Sequence, residues 1–330
     1  MPKLSYYRKL FFIHLLLLWG CTLTMAQGKS AFPEKTIDIN NPQNKTLIRI
    51  VMPPNYPKSK GMKTLLLFYA LPNGNSIEWT MGKKMGKDDD WHFDIQQIAA
   101  QTRYLRELIK NRDLVLVYLS NQQKSWPAWK KQQPGAPAEI KRIVDSISGM
   151  FAATKPEIVL DSHSGGGSFI FGYLDAVKSI PASIQRIAFI DSDYGYEDSL
   201  YTSKLINWLR ESRKHALYVL AYNDSVVIYN GKPLVSATGG TWYRSQLLQR
   251  KLGVAFSFQK KEDTAFIQYH ALHKNVAILL KTNPGGVIYH TEQVARNGFI
   301  HTIIGGTRYE KKAGYLYWGP RVYTPFIDGY

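Results

Sequence analysis

The sequence predicts an α/β protein with a doubly wound, mostly parallel sheet and helices on both faces. Short apolar runs recur along the chain, and each is too continuous for a strand with one exposed face. Between them lie longer stretches whose apolar residues repeat at helical spacing. Alternation of this kind is typical of parallel strands joined by right-handed helical crossovers.

Each element is justified by its own pattern. Residues 37–40 and 46–52 predict two antiparallel edge strands, because the turn-forming Asn40-Asn41-Pro42 separates them. A hairpin or small insertion is predicted at residues 226–236, around Asn230-Gly231. The apolar runs predict central strands at residues 64–70, 114–119, 158–160, 186–192 and 216–222, with the last one at 254–259 or 276–280. Helical spacing predicts helices at residues 95–109, 138–151, 169–177, 199–212 and 242–252.

The long segment 120–137 is predicted to be a loop, because it holds three prolines among its polar residues. Ligands of doubly wound sheets bind at the carboxyl ends of the strands, where this loop begins. Trp126 is therefore a candidate for stacking on a sugar ring or an acyl group, with packing over the sheet as the alternative. Substrate choice is expected to depend on this loop and on the loops at 72–93 and 225–240.

The first 26 residues predict an export signal. Three basic residues precede the apolar segment 10–19, and small residues follow it. Cleavage after Ala26 would leave residues 27–330 as a single domain, which is a compatible size for one large core. The alternative is a lipid anchor, because Leu18-Trp19-Gly20-Cys21 resembles a bacterial lipobox. The apolar segment is too short for a transmembrane span, and no later run is long enough.

The chain is strongly basic. Its formal charge of +17 falls to +14 once residues 1–26 are removed, because Lys3, Arg8 and Lys9 go with them and no acid does. Such a surface attracts anions, and for an exported protein these are acidic glycans, lipid head groups or cell-wall polymers rather than nucleic acid. Cys21 is the only cysteine, so an intramolecular disulfide and a thiol nucleophile in the mature domain are both excluded.

The most specific pattern is the strand, tight turn and helix of residues 157–178. Ser164 lies at the apex of Ser162-His163-Ser164-Gly165-Gly166, which matches G-x-S-x-G except at its first position. A serine there presents its hydroxyl at the sheet edge, next to the positive end of the following helix. The alternative interpretation is a Ser/Gly-rich turn that binds a phosphate or nothing. On these residues the chain resembles the α/β-hydrolase family of serine hydrolases.

The resemblance implies an α/β-hydrolase fold and a triad in the chain order Ser, Asp, His. By order, Ser164 is the nucleophile, Asp224 the acid and His301 the base, with Asp191 and His290 as alternatives. It also implies an oxyanion hole formed by the backbone N–H of Gly165 and that of Leu71 or a neighbour. The same loops predict substrate contacts by Asn73, His163 and Trp126.

The predicted function is an exported serine hydrolase that cleaves a carbohydrate ester or a similar carboxylic ester through an acyl-enzyme. No cofactor is required, and the spacing of His270 and His273 has no carboxylate or cysteine to support a metal site. A peptidase or amidase would use the same triad. The competing class is a non-catalytic cell-surface protein that binds an acidic glycan.

Overall fold

The structure is a computed structural model that describes residues 21–22 and 30–329. The predicted signal peptide lies outside the described residues, apart from the backbone of Cys21–Thr22, a two-residue strand (β1) that pairs with the edge of the sheet. The cleavage site at Ala26 and the Cys21 side chain also lie outside them, so export and acylation remain predictions. Within the described residues, no helix has the length and apolar character needed to cross a membrane.

A single sheet of eleven strands organises the described chain, in the spatial order β1-β2-β3-β5-β4-β6-β7-β8-β13-β12-β11. Two further strands, β9 (Ile228–Tyr229) and β10 (Lys232–Pro233), form a separate hairpin where one was predicted. The other strands are β2 (Lys35–Asn41), β3 (Thr46–Met52), β4 (Thr64–Ala70), β5 (Asp113–Asn121), β6 (Glu157–Ser162), β7 (Ile184–Ile190), β8 (Ala216–Tyr222), β11 (Gln259–Glu262), β12 (Phe266–Ala271) and β13 (Val276–Lys281).

The centre of the sheet is parallel. Strands β5, β4, β6, β7, β8 and β13 pair with one another in parallel, whereas the pairs at both edges are antiparallel. The predicted doubly wound, mostly parallel sheet is confirmed. β13 is the last central strand, because residues 254–259 contribute only to an exposed edge strand. His270 lies in β12, and His273 lies in the short turn that follows it.

Helices cover both faces of the sheet and enclose two apolar cores. One core includes apolar side chains of α3 (Trp126–Gln132), α4 (Ala136–Met150), α5 (Gly167–Ala176), α6 (Asp198–Glu211) and α7 (Thr241–Leu252). The other includes side chains of α1 (Ile77–Met81), α2 (Ile98–Leu108) and α8 (Phe299–Ile304). The central strands are buried from both sides, as their continuous apolar runs predicted.

The prediction of a loop at 120–137 is wrong. Ser125 caps α3 by accepting the backbone N–H of Ala128, and Pro127 stands in the first turn, where proline starts helices. Trp126 and Trp129 are almost fully buried in the core. Trp126 donates its indole N–H to the carbonyl of Leu119 at 3.2 Å and packs edge-on against Phe169. It is therefore a core residue rather than a substrate contact.

Five connections leave the sheet at the carboxyl ends of its parallel strands. Residues 71–75 follow β4, the turn at Ser164 follows β6, Asp191 follows β7, Asp224 follows β8, and residues 282–290 follow β13. The parallel order therefore brings chain segments that are far apart in sequence to one edge, which is where doubly wound sheets bind ligands.

Candidate active site

The turn at Ser164 is strained. Its φ of 55° lies in the left-handed region, which costs a non-glycine residue about 1–3 kcal/mol. Asp191, at the end of the neighbouring strand, has a φ of 46°. Ser164 is half-buried, and its hydroxyl makes no hydrogen bond with another of the described residues. Strain of this kind, with a free hydroxyl at the sheet edge, is the geometry of a nucleophile turn.

The glycines after Ser164 are required by close packing. A Cβ on Gly166 would lie 2.1 Å from the carbonyl oxygen of Ala70, and one on Gly167 would lie 1.7 Å from that of Ser192. A Cβ on Gly165 would lie 2.1 Å from Oδ1 of Asn73. Any side chain at these positions would push the turn away from β4, β7 and the loop at 71–75.

Two free N–H groups lie in the segments that contact each other at the Ser164 turn. The backbone N–H groups of Gly165 and Asn73 donate to no other group in the described part of the chain. Leu71, which the sequence placed in the oxyanion hole, donates its N–H to the carbonyl of Leu119 at 3.1 Å. The N–H of Leu71 is therefore used in the sheet and is not available to an oxyanion. Asn73, two residues later, replaces Leu71 as the candidate donor, and Gly165 keeps its free N–H.

The structure pairs His290 with Asp191. His290 Nδ1 contacts Oδ2 of Asp191, whose carboxylate is fully buried, whereas the histidine side chain is 26% exposed. The other ring nitrogen, Nε2, has no hydrogen-bond partner among the described residues and is the one left for chemistry. A buried carboxylate on Nδ1 fixes the tautomer in which Nε2 accepts a proton and stabilises the imidazolium that results.

Thr241, at the first position of α7, holds the other oxygen of this carboxylate. Its hydroxyl donates to Oδ1 of Asp191, and its backbone N–H donates to Oδ2 of Asp224 at 2.9 Å. Asp191 is thus fixed from both sides, by His290 and by Thr241. Sequence reasoning missed this residue, although a threonine after Gly239-Gly240 at a helix start is a recognisable signal.

Asp224 does not act as the partner of a histidine, which corrects the first-choice acid. Its two oxygens accept the backbone N–H groups of Thr241 and Trp242, so it caps α7. Burial, reinforced by the charge of Asp191, raises the pKa of Asp224 to about 6. A third buried carboxyl group, that of Asp193, accepts a hydrogen bond from the hydroxyl of Ser245, one turn further along α7. Burial raises the pKa of Asp193 to about 8. Only Asp191 of these three contacts a histidine.

His301 lies away from the edge, which corrects the first-choice base. It belongs to α8. The centroid of its ring lies 5.8 Å from that of Tyr218, near the amino-terminal end of β8. Its Nδ1 is 2.8 Å from the hydroxyl of Tyr315, and its ring is stacked on Tyr317. Burial, with the charge of Arg186 next, lowers the pKa of His301 to about 3. No carboxylate in the described part of the chain contacts this neutral histidine, which is a packing residue.

His163 is buried beneath His290 rather than placed to touch substrate. Its Nε2–H donates to the backbone carbonyl of His290 at 3.0 Å, and the two ring centroids are 4.7 Å apart. Burial, and then the nearby His290, lowers the pKa of His163 well below its usual range. The residue directly before Ser164 thus supports the loop that carries His290, which brings the serine turn and the Asp191–His290 pair together.

Ser162, which replaces the first glycine of the motif, is fully buried. Its hydroxyl is 2.8 Å from that of Ser192 on the neighbouring strand end. The hydroxyl is therefore used for packing between β6 and β7 and is not available as a nucleophile. Ser164 is the serine of this turn that the structure leaves free.

Together these groups give the parts needed for acyl transfer. A free serine hydroxyl, a histidine oriented by a buried carboxylate, and two free N–H groups converge at one edge of the sheet. The residues brought together are Ser164, Gly165, Asn73, His163, His290, Asp191 and Thr241, whereas Leu71, Trp126, Asp224 and His301 have structural roles.

Comparison with known proteins finds similarity in structure only. No family model matches the chain, and no curated sequence does. An IroE-like serine hydrolase from Shewanella oneidensis is similar at 14% identity and a TM-score of 0.47, over 82% of this chain and 79% of that one. A thermostable esterase is similar at 12% identity and a TM-score of 0.47, over 82% of this chain and 62% of that one.

An S-formylglutathione hydrolase from Agrobacterium tumefaciens is similar at 10% identity and a TM-score of 0.46, over 85% of this chain and 95% of that one. The topology of the chain itself determines its fold class. It has a mostly parallel, doubly wound sheet and a strained serine turn between β6 and α5. The chain has the α/β-hydrolase fold.

Proposed function

We propose that the chain is a serine hydrolase that cleaves carboxylic esters, with Ser164 as nucleophile, His290 as general base and Asp191 as its orienting acid. The observation that supports this most is the contact between His290 Nδ1 and the buried Asp191, at the sheet edge that also carries Ser164. A histidine held in this way next to a free serine hydroxyl is the arrangement that activates a weak nucleophile.

In the proposed reaction, Nε2 of His290 takes the proton of the Ser164 hydroxyl as the oxygen attacks the ester carbonyl. The N–H groups of Gly165 and Asn73 stabilise the oxyanion of the tetrahedral intermediate. The intermediate collapses to an acyl-enzyme when the imidazolium returns the proton to the leaving alcohol. Water then repeats the sequence with His290 as base, and this step releases the acid and restores Ser164.

The rim of the site favours an ester with an apolar part. Gly286 lies against the carbonyl of Val226, so the β9–β10 hairpin and the segment before His290 are neighbours. Both segments expose large apolar side chains, namely Val226, Ile228, Tyr229, Leu234, Val287 and Ile288. Exposed apolar patches next to a reactive site commonly receive the apolar part of a ligand.

Hydrolysis of 4-nitrophenyl acetate, butyrate and octanoate, compared with the 4-nitroanilides of the same acids, tests the proposal. We expect turnover of the esters and little or none of the anilides. Cleavage of the anilides at a comparable rate would move the function to amide hydrolysis. Folded protein that cleaves neither series would contradict the proposed enzyme and favour a binding protein.

We also propose that the protein is exported and that residues 27–330 form its single domain, on the basic, apolar and small-residue order of the first 26 residues. Mass spectrometry of protein from the native host is expected to show a chain that starts at Gln27, or an acylated Cys21. Intact protein that retains Met1 would contradict both forms.

The Asp191→Asn variant is expected to lower kcat by about 10⁴, the size of effect seen when a triad histidine loses its orienting carboxylate. The matched variant is Asp224→Asn, at the end of the next strand. It weakens the cap of α7 and is expected to cost about 1 kcal/mol in the free energy of unfolding, with a change in kcat of about tenfold or less. Steady-state kinetics and urea unfolding measure both quantities. A larger kcat loss in Asp224→Asn would show that the later carboxylate is the acid.

The Thr241→Val variant removes the hydroxyl that fixes Asp191 while keeping the shape of the side chain. We expect kcat to fall by about fivefold, because a net hydrogen bond of ~1 kcal/mol no longer orients the carboxylate. Thr241→Ser, which retains the hydroxyl, is the control and is expected to keep most of the activity. Equal losses in the two variants would assign Thr241 to packing alone.

A further inference from the structure

Three rings form a stack in the segment between β4 and α2. The imidazole of His92 lies between two indoles, with its centroid 4.3 Å from that of Trp79 and 4.0 Å from that of Trp91. The rings are close to parallel, at 12° and 29°. Because two indoles cannot both lie about 4 Å above the same face of one ring, they cover opposite faces of His92. We call these three residues the aromatic stack.

The two ends of the aromatic stack differ. At one end, the ammonium of Lys124 lies 5.1 Å from the centroid of the Trp79 ring. At the other end, Trp91 is 65% exposed, whereas every other tryptophan among residues 30–329 is buried or half-buried. One broad aromatic face is therefore open to solvent.

The open ring is held in place. Asp90 accepts the backbone N–H of His92 at 2.9 Å, and its carboxylate also contacts Nδ1 of that ring. His92 in turn is clamped between the indoles. A preorganised aromatic face loses little conformational entropy when a ligand covers it, which favours binding.

The aromatic stack is tied to the proposed oxyanion loop. Gly74 donates its N–H to the carbonyl of Lys124 at 2.8 Å, and the side chain of Lys124 covers Trp79. Asn73, whose side chain lies against Gly165, is six residues from Trp79, a chain length that spans at most about 22 Å. This upper bound, with the ring spacings of 4.3 and 4.0 Å, allows a chain-like substrate of several sugar units to reach the open ring from Ser164.

We propose that Trp91 is a subsite for a sugar ring in the carbohydrate part of the substrate. This inference rests on the proposed function and extends it by naming the substrate class. The flat C–H face of a pyranose is apolar, so it matches an indole face, while its hydroxyls point outward around the rim. Exposed polar side chains that can meet those hydroxyls lie in the segment just before Trp91, at Lys87, Asp88 and Asp90.

The aromatic stack also replaces the sugar platform that the sequence assigned to Trp126. That tryptophan is buried in the core, and Trp129 beside it is buried too. The proposed carbohydrate-contacting aromatic surface therefore moves to the segment between β4 and α2, which also contains Asn73.

Binding is best measured on the Ser164→Ala protein, which cannot consume an ester. Isothermal titration calorimetry with cellohexaose, xylohexaose and tri-galacturonic acid is expected to show binding of at least one glycan. In that background Trp91→Ala should raise Kd by about tenfold, the scale of losing one aromatic contact, and Trp91→Tyr should retain most of the affinity. Leu316→Ala removes another exposed apolar side chain, 74% exposed, and is the matched control expected to leave Kd unchanged.

Equal affinity of the Trp91→Ala and parent proteins, or no binding of any of the three glycans, would overturn the subsite. Failure of the proposed function gives a different result. In that case no protein form hydrolyses 4-nitrophenyl esters, yet glycan binding that depends on Trp91 persists. If both proposals hold, the control variant Leu316→Ala in the active protein leaves kcat and KM for 4-nitrophenyl acetate unchanged.

Discussion

Ser164→Ala is expected to lower kcat for ester hydrolysis by about 10⁵–10⁶, because removal of a triad nucleophile leaves only binding and oxyanion contributions. The fold should survive the change. The hydroxyl is half-buried and has no hydrogen-bond partner among the described residues, so no group loses its partner. Kinetics with 4-nitrophenyl butyrate and a thermal melt by circular dichroism measure the two effects.

Ser162→Ala is the matched control for this variant, two residues earlier in the same turn. It removes the contact with the hydroxyl of Ser192, which keeps a second bond to the carbonyl of Ser162 at 3.1 Å. We expect a stability loss of about 1 kcal/mol and a small change in kcat. Substantial turnover by folded Ser164→Ala, together with an inactive Ser162→Ala, would move the nucleophile to Ser162.

His290→Ala is expected to lose about as much activity as Ser164→Ala, roughly 10⁵–10⁶ in kcat, because nucleophile and base act as one unit. The double variant should lose little more than either single variant, since the second substitution removes a part that no longer functions. The measurement is kcat for the two single variants and the double variant. Additive losses would show that His290 acts independently of Ser164.

His301→Phe is the matched control for the histidine. The phenyl ring can keep the stack on Tyr317, and the change gives up only the contact with the hydroxyl of Tyr315. We expect kcat within about threefold of the parent and a stability loss of about 1 kcal/mol. The reverse result, an inactive His301→Phe with an active His290→Ala, would restore the base that chain order first predicted.

Much of the sheet could be predicted because burial on both faces leaves a strong signal. The runs at β4, β5 and β8 are apolar throughout, and the structure buries almost every residue in them. The turn at Ser164 could be located because close packing leaves only glycine possible at Gly166 and Gly167. These features are local, so a single sequence records them.

The acid and base could not be predicted from chain order, because both depend on contacts between distant segments. Asp191 and Asp224 end adjacent strands at the same edge, and α7 decides between them by using Asp224 as its cap. The choice between His290 and His301 as the base depended on which segment formed the last central strand. With β13 ending at Lys281, His290 stays at the carboxyl edge, whereas α8 carries His301 toward the other end of β8.

Trp126 was assigned to the wrong surface for a similar reason. The prolines in residues 120–137 favoured a loop, but Pro127 follows the cap Ser125 and starts a helix that buries Trp126. Trp91 is flanked by three aspartates and another aromatic residue, a pattern that fits either packing or exposure. Only the ring geometry around His92 distinguishes these possibilities.

Covalent labelling with a fluorophosphonate, followed by peptide mass mapping, tests the central claim most directly. The reagent phosphonylates an activated serine and needs no knowledge of the substrate. We expect one adduct, on the peptide that contains Ser164. It should form rapidly on the parent protein and on His301→Phe, and more slowly by orders of magnitude on His290→Ala. An adduct on another residue, or no adduct on protein shown to be folded, would contradict the assignment of Ser164 as a nucleophile activated by His290.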